Sequence, residues 1–136
     1  MRITAYRKAH FNAAHRLYRK DWDAEKNNQV FGKCNNPSYH GHNYDLTVGV
    51  TGEIDPETGY LIDLKILKDI IKVEVEDALD HKNLNVDVPE FKDLNPTVEN
   101  IAVVIYNKIK KVLDKRFELE ITLYETSRNF VVYKGE

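Results

Sequence analysis

The sequence predicts a single α+β domain, residues 1–136, in which a four-stranded antiparallel sheet carries two helices on one face. Apolar residues recur at helical spacing in two segments, 64–79 and 98–112, and this pattern predicts the two helices. Apolar and polar residues alternate in 1–11, 42–50 and 117–124, which is typical of half-buried strands. A short apolar segment at 130–133 completes the order ββααββ.

The first half of the chain predicts two strands joined by a long loop. Phe11 has the core-facing parity of the first strand, so His10 is expected to face solvent. Residues 16–33 are polar and charged, which indicates a loop with one helical turn. In the second strand the inward face is predicted to carry four apolar side chains, Tyr44, Leu46, Val48 and Val50.

The second half predicts the two helices and the remaining strands. Asp63 is placed to cap the first helix, which ends near Asp80, and Thr97 is placed to cap the second. The first helix has an apolar stripe of six residues, Leu64, Leu67, Ile70, Ile71, Val75 and Leu79. Because an antiparallel sheet covered on one face leaves two edges unpaired, we expect copies of the chain to associate through these edges.

Composition restricts the function classes. The net charge of -2 is too small for general attraction to nucleic acid or to acidic lipid. The N-terminal residues lack the apolar core of a signal peptide, and the longest apolar run, 101–106, is too short to cross a bilayer, so the expected compartment is the cytosol. A single cysteine excludes an intramolecular disulfide, so Cys34 is either a small buried residue or a free thiol with a chemical role.

The most informative motif is a pair of histidines, His40 and His42, at the start of the second strand. Their spacing of two places both imidazoles on the inward face. Gly41 leaves the opposite face free of a side chain and permits the backbone to bend toward an ion. Antiparallel pairing of the first two strands is expected to bring His15 alongside, although His10 competes by position. Three neutral imidazoles with an open fourth position indicate a catalytic zinc site.

Cys34 precedes this histidine pair by six residues and follows Lys33. A thiol beside a metal ion and an ammonium group ionises more readily than an isolated thiol, which suits proton transfer. The alternative is that the cysteine completes a closed structural site of one cysteine and three histidines.

Two further side-chain groups are candidates for catalysis or binding. Asp80 lies near a helix C-terminus and next to His81, so the two are either surface residues or an oriented pair that relays protons to Cys34. Glu125 lies where a strand meets a turn. It is either solvated or placed to accept two hydrogen bonds from the edge of a heterocycle.

Six segments together resemble the 6-pyruvoyltetrahydropterin synthase family, which includes the 6-carboxytetrahydropterin synthases of queuosine biosynthesis. They occur in order along nearly the whole chain and include FNAAHRL, VFGKCNNPSYHGHNY, LDHKNL and the C-terminal VYKGE, at 11–17, 30–44, 79–84 and 132–136. The remaining segments are 51–59, 96–100 and 124–125, of which the last is counted as one segment with 132–136. The gap of five residues between Cys34 and His40 is similar to the 6-pyruvoyl branch, whereas residues 95–99 are similar to the 6-carboxy branch.

The resemblance implies a role for each candidate. Zinc would be held by three imidazoles, His15, His40 and His42. Cys34 would move the proton of the substrate side chain, with Asp80 and His81 completing the relay. Glu125 would anchor the pterin ring, and Thr97 would help nearby.

The resemblance also implies a reaction and an assembly. The substrate would be 7,8-dihydroneopterin triphosphate, zinc would bind its side-chain hydroxyls, and loss of triphosphate with internal redox tautomerisation would give the 6-pyruvoyl product. The fold would be the tunnelling fold, in which three four-stranded sheets close a barrel and two trimers stack into a hexamer. Four basic residues are candidates for holding the triphosphate, Arg16, Lys26, Lys33 and Arg128.

Three alternatives remain from the sequence. The first is a 6-carboxy product from the same substrate. The second is a zinc-dependent pterin-binding module without turnover. The third is a cysteine hydrolase with Cys34, His81 and Asp80 as its triad, for which zinc would be irrelevant.

Overall fold

The computed structural model describes residues 1–136 and contains one five-stranded sheet with helices packed against it. The strands are β1 (Arg2–His15), β2 (His40–Glu53), β3 (Lys82–Asn83), β4 (Glu118–Tyr124) and β5 (Phe130–Tyr133). The helices are α1 (Ala24–Phe31), α2 (Leu64–Ile71), α3 (Asp77–Leu79), α4 (Leu84–Asp87) and α5 (Val98–Val112). No helix combines the length and the apolar character that a membrane crossing requires.

The sheet has the order β3-β1-β2-β4-β5 and confirms the predicted α+β class with its four main strands. It differs from the prediction in having a fifth strand, β3, which has only two residues and runs parallel to β1 beside Ala13 and Ala14. Strand β1 also continues four residues beyond Phe11, to His15. This extension pairs His15 directly with His40 of β2 and so positions the candidate site.

The core lies between the sheet and the helices. Side chains of one parity on β2 are fully buried, which confirms the predicted inward face, and Phe11 stacks on Tyr44 with ring centroids 4.9 Å apart. His10 is exposed, as its parity predicts. Helix α5 contributes five buried residues, Ile101, Ala102, Val104, Ile105 and Ile109.

The first predicted helix is regular only in its first part. Asp63 caps α2 by accepting a hydrogen bond from the Lys65 amide at 2.9 Å, as expected. A π-helical segment, Lys72–Glu76, then separates α2 from α3. The buried residues recur every four positions, and in an α-helix of 3.6 residues per turn such a stripe drifts by about 40° per turn. The wider π turn offsets this drift and keeps Val75 and Leu79 in the core, whereas Leu64 is exposed.

The loop predicted at 16–33 contains more structure than one helical turn. Asp23 caps α1 by accepting from the Lys26 amide at 2.8 Å, and a 3₁₀ turn, Gly32–Asn35, follows the helix directly. Asn27 is buried and exchanges two hydrogen bonds with the backbone of Arg19, at 2.8 and 2.9 Å. This segment therefore gives Cys34 a fixed backbone position beside the sheet.

Candidate active site

Pairing of β1 with β2 brings three imidazoles together at one end of the sheet. His15 lies opposite His40, and His42 lies two residues further along the same face of β2. The ring centroids are separated by 4.6 Å for His15 and His40, 5.1 Å for His15 and His42, and 4.9 Å for His40 and His42. One ring nitrogen from each lies within 4.8 Å of the other two.

His15 is held in the form that binds a metal. It is 1% exposed, and its Nδ1 lies 2.7 Å from the carbonyl oxygen of Pro96. Because a carbonyl only accepts, Nδ1 carries the proton and Nε2 keeps its lone pair. Burial disfavours the imidazolium and lowers the pKa of His15 to about 4, so the ring is neutral at pH 7. Burial and the nearby His42 also lower the pKa of His40.

The ring nitrogens of this cluster lie close enough together for a metal ion. His40 Nδ1 and His42 Nε2 are buried without a hydrogen-bond partner, which is costly for polar atoms that have only protein around them. His15 Nε2 and His40 Nε2 are 3.0 Å apart. Two nitrogens on a tetrahedral zinc ion would be about 3.3 Å apart, given zinc–nitrogen distances of about 2.0–2.1 Å. The spacing of His15 and His40 is therefore close to that of two nitrogens on one ion, and the three side chains could together hold a metal ion.

The face of β2 opposite the histidines is open at Gly41. A Cβ atom there would meet only the Ala13 carbonyl oxygen, at an ordinary 3.7 Å, and the backbone of Gly41 does not adopt a positive φ. Within one chain the face opposite the histidines is therefore not crowded at Gly41, and the bending of the backbone toward an ion stays a prediction.

Cys34 lies beside the histidine cluster. Its carbonyl oxygen accepts a hydrogen bond of 2.7 Å from the Leu17 amide, two residues beyond His15. The half-buried side chain lines a pocket of about 500 Å³ together with Lys33, His40 and His42. Cys34 is not among the residues whose donor atoms converge, so the group that could hold a metal ion consists of three histidines without the cysteine.

The Asp80 and His81 side chains are paired, and their role in a proton relay stays a prediction. Asp80 Oδ2 lies 3.0 Å from His81 Nδ1, and Asp80 Oδ1 accepts from the Asn12 amide at 2.9 Å. The Asn12 N–H and then His81 hold the pKa of Asp80 below its usual value. His81 has a left-handed backbone, φ 59°, and its side chain is 79% exposed.

The pair does not reach Cys34 within one chain. His81 lines a separate pocket that it shares with His42, and no hydrogen bond joins it to Cys34. The triad required by the hydrolase alternative is therefore not assembled in a single chain.

The two predicted substrate-binding residues border the histidines. Glu125 is 23% exposed, and its Oε1 lies 4.0 Å from His42 Nε2. Thr97 caps α5 by accepting from the Asn100 amide at 3.2 Å, and it follows Pro96, whose carbonyl holds His15. Their roles toward a substrate stay predictions.

Three asparagines near the site, Asn35, Asn85 and Asn95, make contacts that were not predicted. Asn35 and Asn85 both bind Arg16, and Asn95 accepts from the Tyr18 amide at 3.2 Å. Asn85 and Asn95 are separated from their partners by 69 and 77 residues. No local pattern in the sequence signals contacts of this kind.

The four candidates for binding phosphate differ in their environments. Arg16 directs its guanidinium at Asn35 and over the Tyr18 ring, and the Lys26 ammonium lies 4.2 Å from the centre of the Trp22 ring. Lys33 lines the pocket of Cys34 and has no carboxylate partner. Arg128 lies in the exposed turn after β4.

Comparisons with known proteins agree with the resemblance. A sequence model of the 6-pyruvoyl tetrahydropterin synthase family matches residues 4–136. The human 6-pyruvoyl tetrahydrobiopterin synthase is 49% identical over 130 residues, which cover 96% of this chain and 90% of the human protein. The solved structure of the Caenorhabditis elegans 6-pyruvoyl tetrahydropterin synthase has a TM-score of 0.94 at 38% identity and covers 100% of this chain and 97% of its own. The dihydroneopterin monophosphate aldolase of Pyrococcus furiosus is 35% identical over 119 residues, 87% of this chain and 85% of that protein.

Proposed function

Because this chain belongs to the 6-pyruvoyl tetrahydropterin synthase family, we propose that it converts 7,8-dihydroneopterin triphosphate to 6-pyruvoyl-tetrahydropterin and releases triphosphate. The observation that carries the proposal is the convergence of three imidazoles beside the only thiol of the chain. Elimination followed by tautomerisation moves electrons within the substrate, so the reaction needs no external oxidant or reductant.

We propose zinc as the ion that His15, His40 and His42 hold. The three ligands are neutral, so the ion keeps its full positive charge. Bound zinc would supply Lewis-acid polarisation of a substrate oxygen. The low pKa of His15 supports the proposal, because a buried neutral imidazole remains available to a metal at physiological pH.

The remaining residues have roles in binding and in proton transfer. The Cys34 thiolate takes the proton from the substrate side chain, and the adjacent Lys33 ammonium faces the leaving polyphosphate. Glu125 accepts hydrogen bonds from the N–H edge of the pterin, since a partly buried carboxylate beside the metal site is suited to a bidentate contact. Thr97 contributes its hydroxyl at the edge of the same site.

The assembly that we propose is a hexamer of two stacked trimers, with the cytosol as its compartment. In one chain, β5 has a free outer edge, and β3 covers only two residues of the β1 edge. Phe130 and Val132 on β5 are 50% and 48% exposed. Unpaired strand edges with apolar side chains favour pairing between copies. The proton relay also requires a second copy, because His81 and Cys34 line different pockets of one chain.

Mixing two inactive variants tests the shared site. Cys34→Ala and His81→Ala are each expected to lose turnover. If the copies are unfolded and refolded together, about one quarter of the sites in random mixed oligomers receive both intact residues from different chains. Recovery of activity near that fraction supports the shared site. No recovery in oligomers shown by mass to be mixed would place both groups in one chain.

Product identification tests the reaction. The metal-loaded protein is incubated with 7,8-dihydroneopterin triphosphate, and released triphosphate and the mass of the pterin product are measured, with Cys34→Ala as control. The 6-pyruvoyl mass together with stoichiometric triphosphate supports the proposal. A 6-carboxy product would assign the other branch, loss of the side chain as an aldehyde would assign an activity like that named for the Pyrococcus relative, and binding without release would leave a pterin-binding module.

A further inference from the structure

Arg16 lies where three functional segments of the chain meet. It directly follows His15 at the end of β1, so its backbone position depends on that of a metal-ligand candidate. Its side chain reaches the turn that carries Cys34. The guanidinium Nε donates to the carbonyl oxygen of Asn35 at 3.0 Å, and Nε and Nη2 donate to the Asn35 side-chain oxygen at 3.2 and 3.1 Å.

The acceptor of these hydrogen bonds is itself fixed. Asn35 follows Cys34 in the 3₁₀ turn and is 5% exposed. Its side-chain nitrogen donates to the Asn28 side chain at 2.7 Å, which ties it to helix α1. Because Arg16 binds both the backbone and the side chain of Asn35, it restrains the residue adjacent to the thiol.

The third segment reaches the backbone of Arg16. The Arg16 amide donates to Asn85 Oδ1 at 2.8 Å, and Asn85 Nδ2 donates to the Arg16 carbonyl oxygen at 2.9 Å. Asn85 lies on α4, four residues after His81. The same arginine therefore contacts the segments that carry a metal ligand, the thiol and the aspartate–histidine pair.

Arg16 has the contacts expected of a residue that holds neighbouring segments at a set distance from one another. It has no carboxylate partner, and its guanidinium lies 4.0 Å from the centre of the Tyr18 ring, which restricts the plane of the group. A planar guanidinium with several N–H donors bridges two acceptors at a set angle, and an ammonium on a flexible chain does not. Its Nε and Nη2 donors are used inside the protein, which fixes the guanidinium against Asn35.

We propose that Arg16 is a positioning residue that holds the Cys34 thiol at a fixed distance from the three histidines. The inference rests on the proposed function for its kinetic consequence but not for its geometry. Because the thiol must meet a substrate that the histidine cluster orients, a displacement of about 1 Å is expected to lower turnover by about 100-fold. Binding of the substrate does not use Arg16 and should change little.

The test uses Arg16→Lys, which keeps the positive charge and removes the planar guanidinium that bridges two acceptors. Arg19→Lys is the matched control, because Arg19 lies in the same loop but pairs with Asp21 in solvent. The single cysteine makes iodoacetamide a probe of Cys34 alone. For Arg16→Lys we expect kcat to fall by about 10- to 100-fold with KM within about threefold of wild type. Alkylation of Cys34 in the metal-free protein should be several-fold faster, and zinc affinity by chelator competition should be unchanged.

Asn35→Ala removes the acceptor side chain and leaves Arg16 in place, so it provides a second variant should Arg16→Lys fold poorly. The same fall in kcat and the same faster alkylation are expected. A kcat and a rate of Cys34 alkylation equal to those of the wild type in either folded variant would overturn the proposal. A raised KM with unchanged kcat would also overturn it, because Arg16 would then be a phosphate ligand. If the wild-type protein released no triphosphate, the proposed function would fail, while alkylation would still test the restraint on Cys34.

Discussion

Metal binding to the histidine cluster is expected to raise the thermal stability of the protein strongly. In the metal-free protein, the buried His42 Nε2 has no hydrogen-bond partner. An unsatisfied buried polar atom typically costs about 1–3 kcal/mol. A cation that binds the folded cluster and not the unfolded chain relieves this cost, because it takes up ring lone pairs that the protein leaves unpaired.

The size of the effect follows from chain length and occupancy. With zinc at 1,000 times its dissociation constant, the free energy of unfolding rises by about 4 kcal/mol. For 136 residues the entropy of unfolding is about 0.29 kcal/mol/K, at about 2.1 cal/mol/K per residue. Dividing the gain in the free energy of unfolding by the entropy of unfolding predicts that the melting temperature rises by about 14 °C at that zinc concentration.

The assay is thermal unfolding by circular dichroism over a zinc titration. His42→Ala removes one ligand and should abolish most of the shift, whereas His10→Ala removes an exposed histidine outside the cluster and should keep it. Absence of a zinc-dependent shift in the wild-type protein, or an equal shift in His42→Ala, would refute the assignment of the cluster as the metal site.

Three further predictions concern substrate binding, strand packing and pH. Glu125→Gln should weaken pterin binding by about 10- to 150-fold, since hydrogen bonds to a charged group contribute about 1.5–3 kcal/mol; fluorescence titration measures this, and an unchanged dissociation constant would exclude Glu125 as the anchor. Gly41→Ala should leave the free energy of unfolding within about 0.5 kcal/mol of wild type. Gly52→Ala on the same strand should lower it by about 1–3 kcal/mol, because the new methyl would lie 2.9 Å from the buried Phe117 ring; equal urea midpoints for the two variants would contradict this. His15 has a folded pKa of about 4 against 6.5 for the free side chain, so its contribution to stability is complete above pH 6.5 and is lost as the pH falls toward 4, by up to about 3 kcal/mol. Urea unfolding of the metal-free wild type and of His15→Gln should therefore give a smaller difference in the free energy of unfolding at pH 5 than at pH 7. An equal difference at both pH values would mean that His15 is not held neutral.

The sequence predicted the elements that carry the histidines because their patterns are local. Alternation on β2 set the parity of His40 and His42, and antiparallel pairing then required that the end of β1 lie beside them. Asp63 and Thr97 were predictable caps because the side chain and the amide that it binds are two or three residues apart.

The missed features depend on contacts between distant parts of the chain. Strand β3 has two residues, too few for any periodicity, and it forms because His81 donates its amide proton to the Asn12 carbonyl across 69 residues at 2.6 Å. The extension of β1 through Asn12 to His15 contains small and polar residues that do not signal a strand on their own. The role of Arg16 follows from asparagine contacts that only the folded chain reveals.

The central claim is that three imidazoles bind one zinc ion and leave a position for the substrate. X-ray absorption spectroscopy of the zinc-loaded protein tests it directly. We expect three nitrogen ligands at about 2.0–2.1 Å, with the remaining position taken by oxygen, and the same spectrum for Cys34→Ala. A sulfur ligand at about 2.3 Å in the wild-type protein, lost in Cys34→Ala, would show that the site is closed and would contradict the claim.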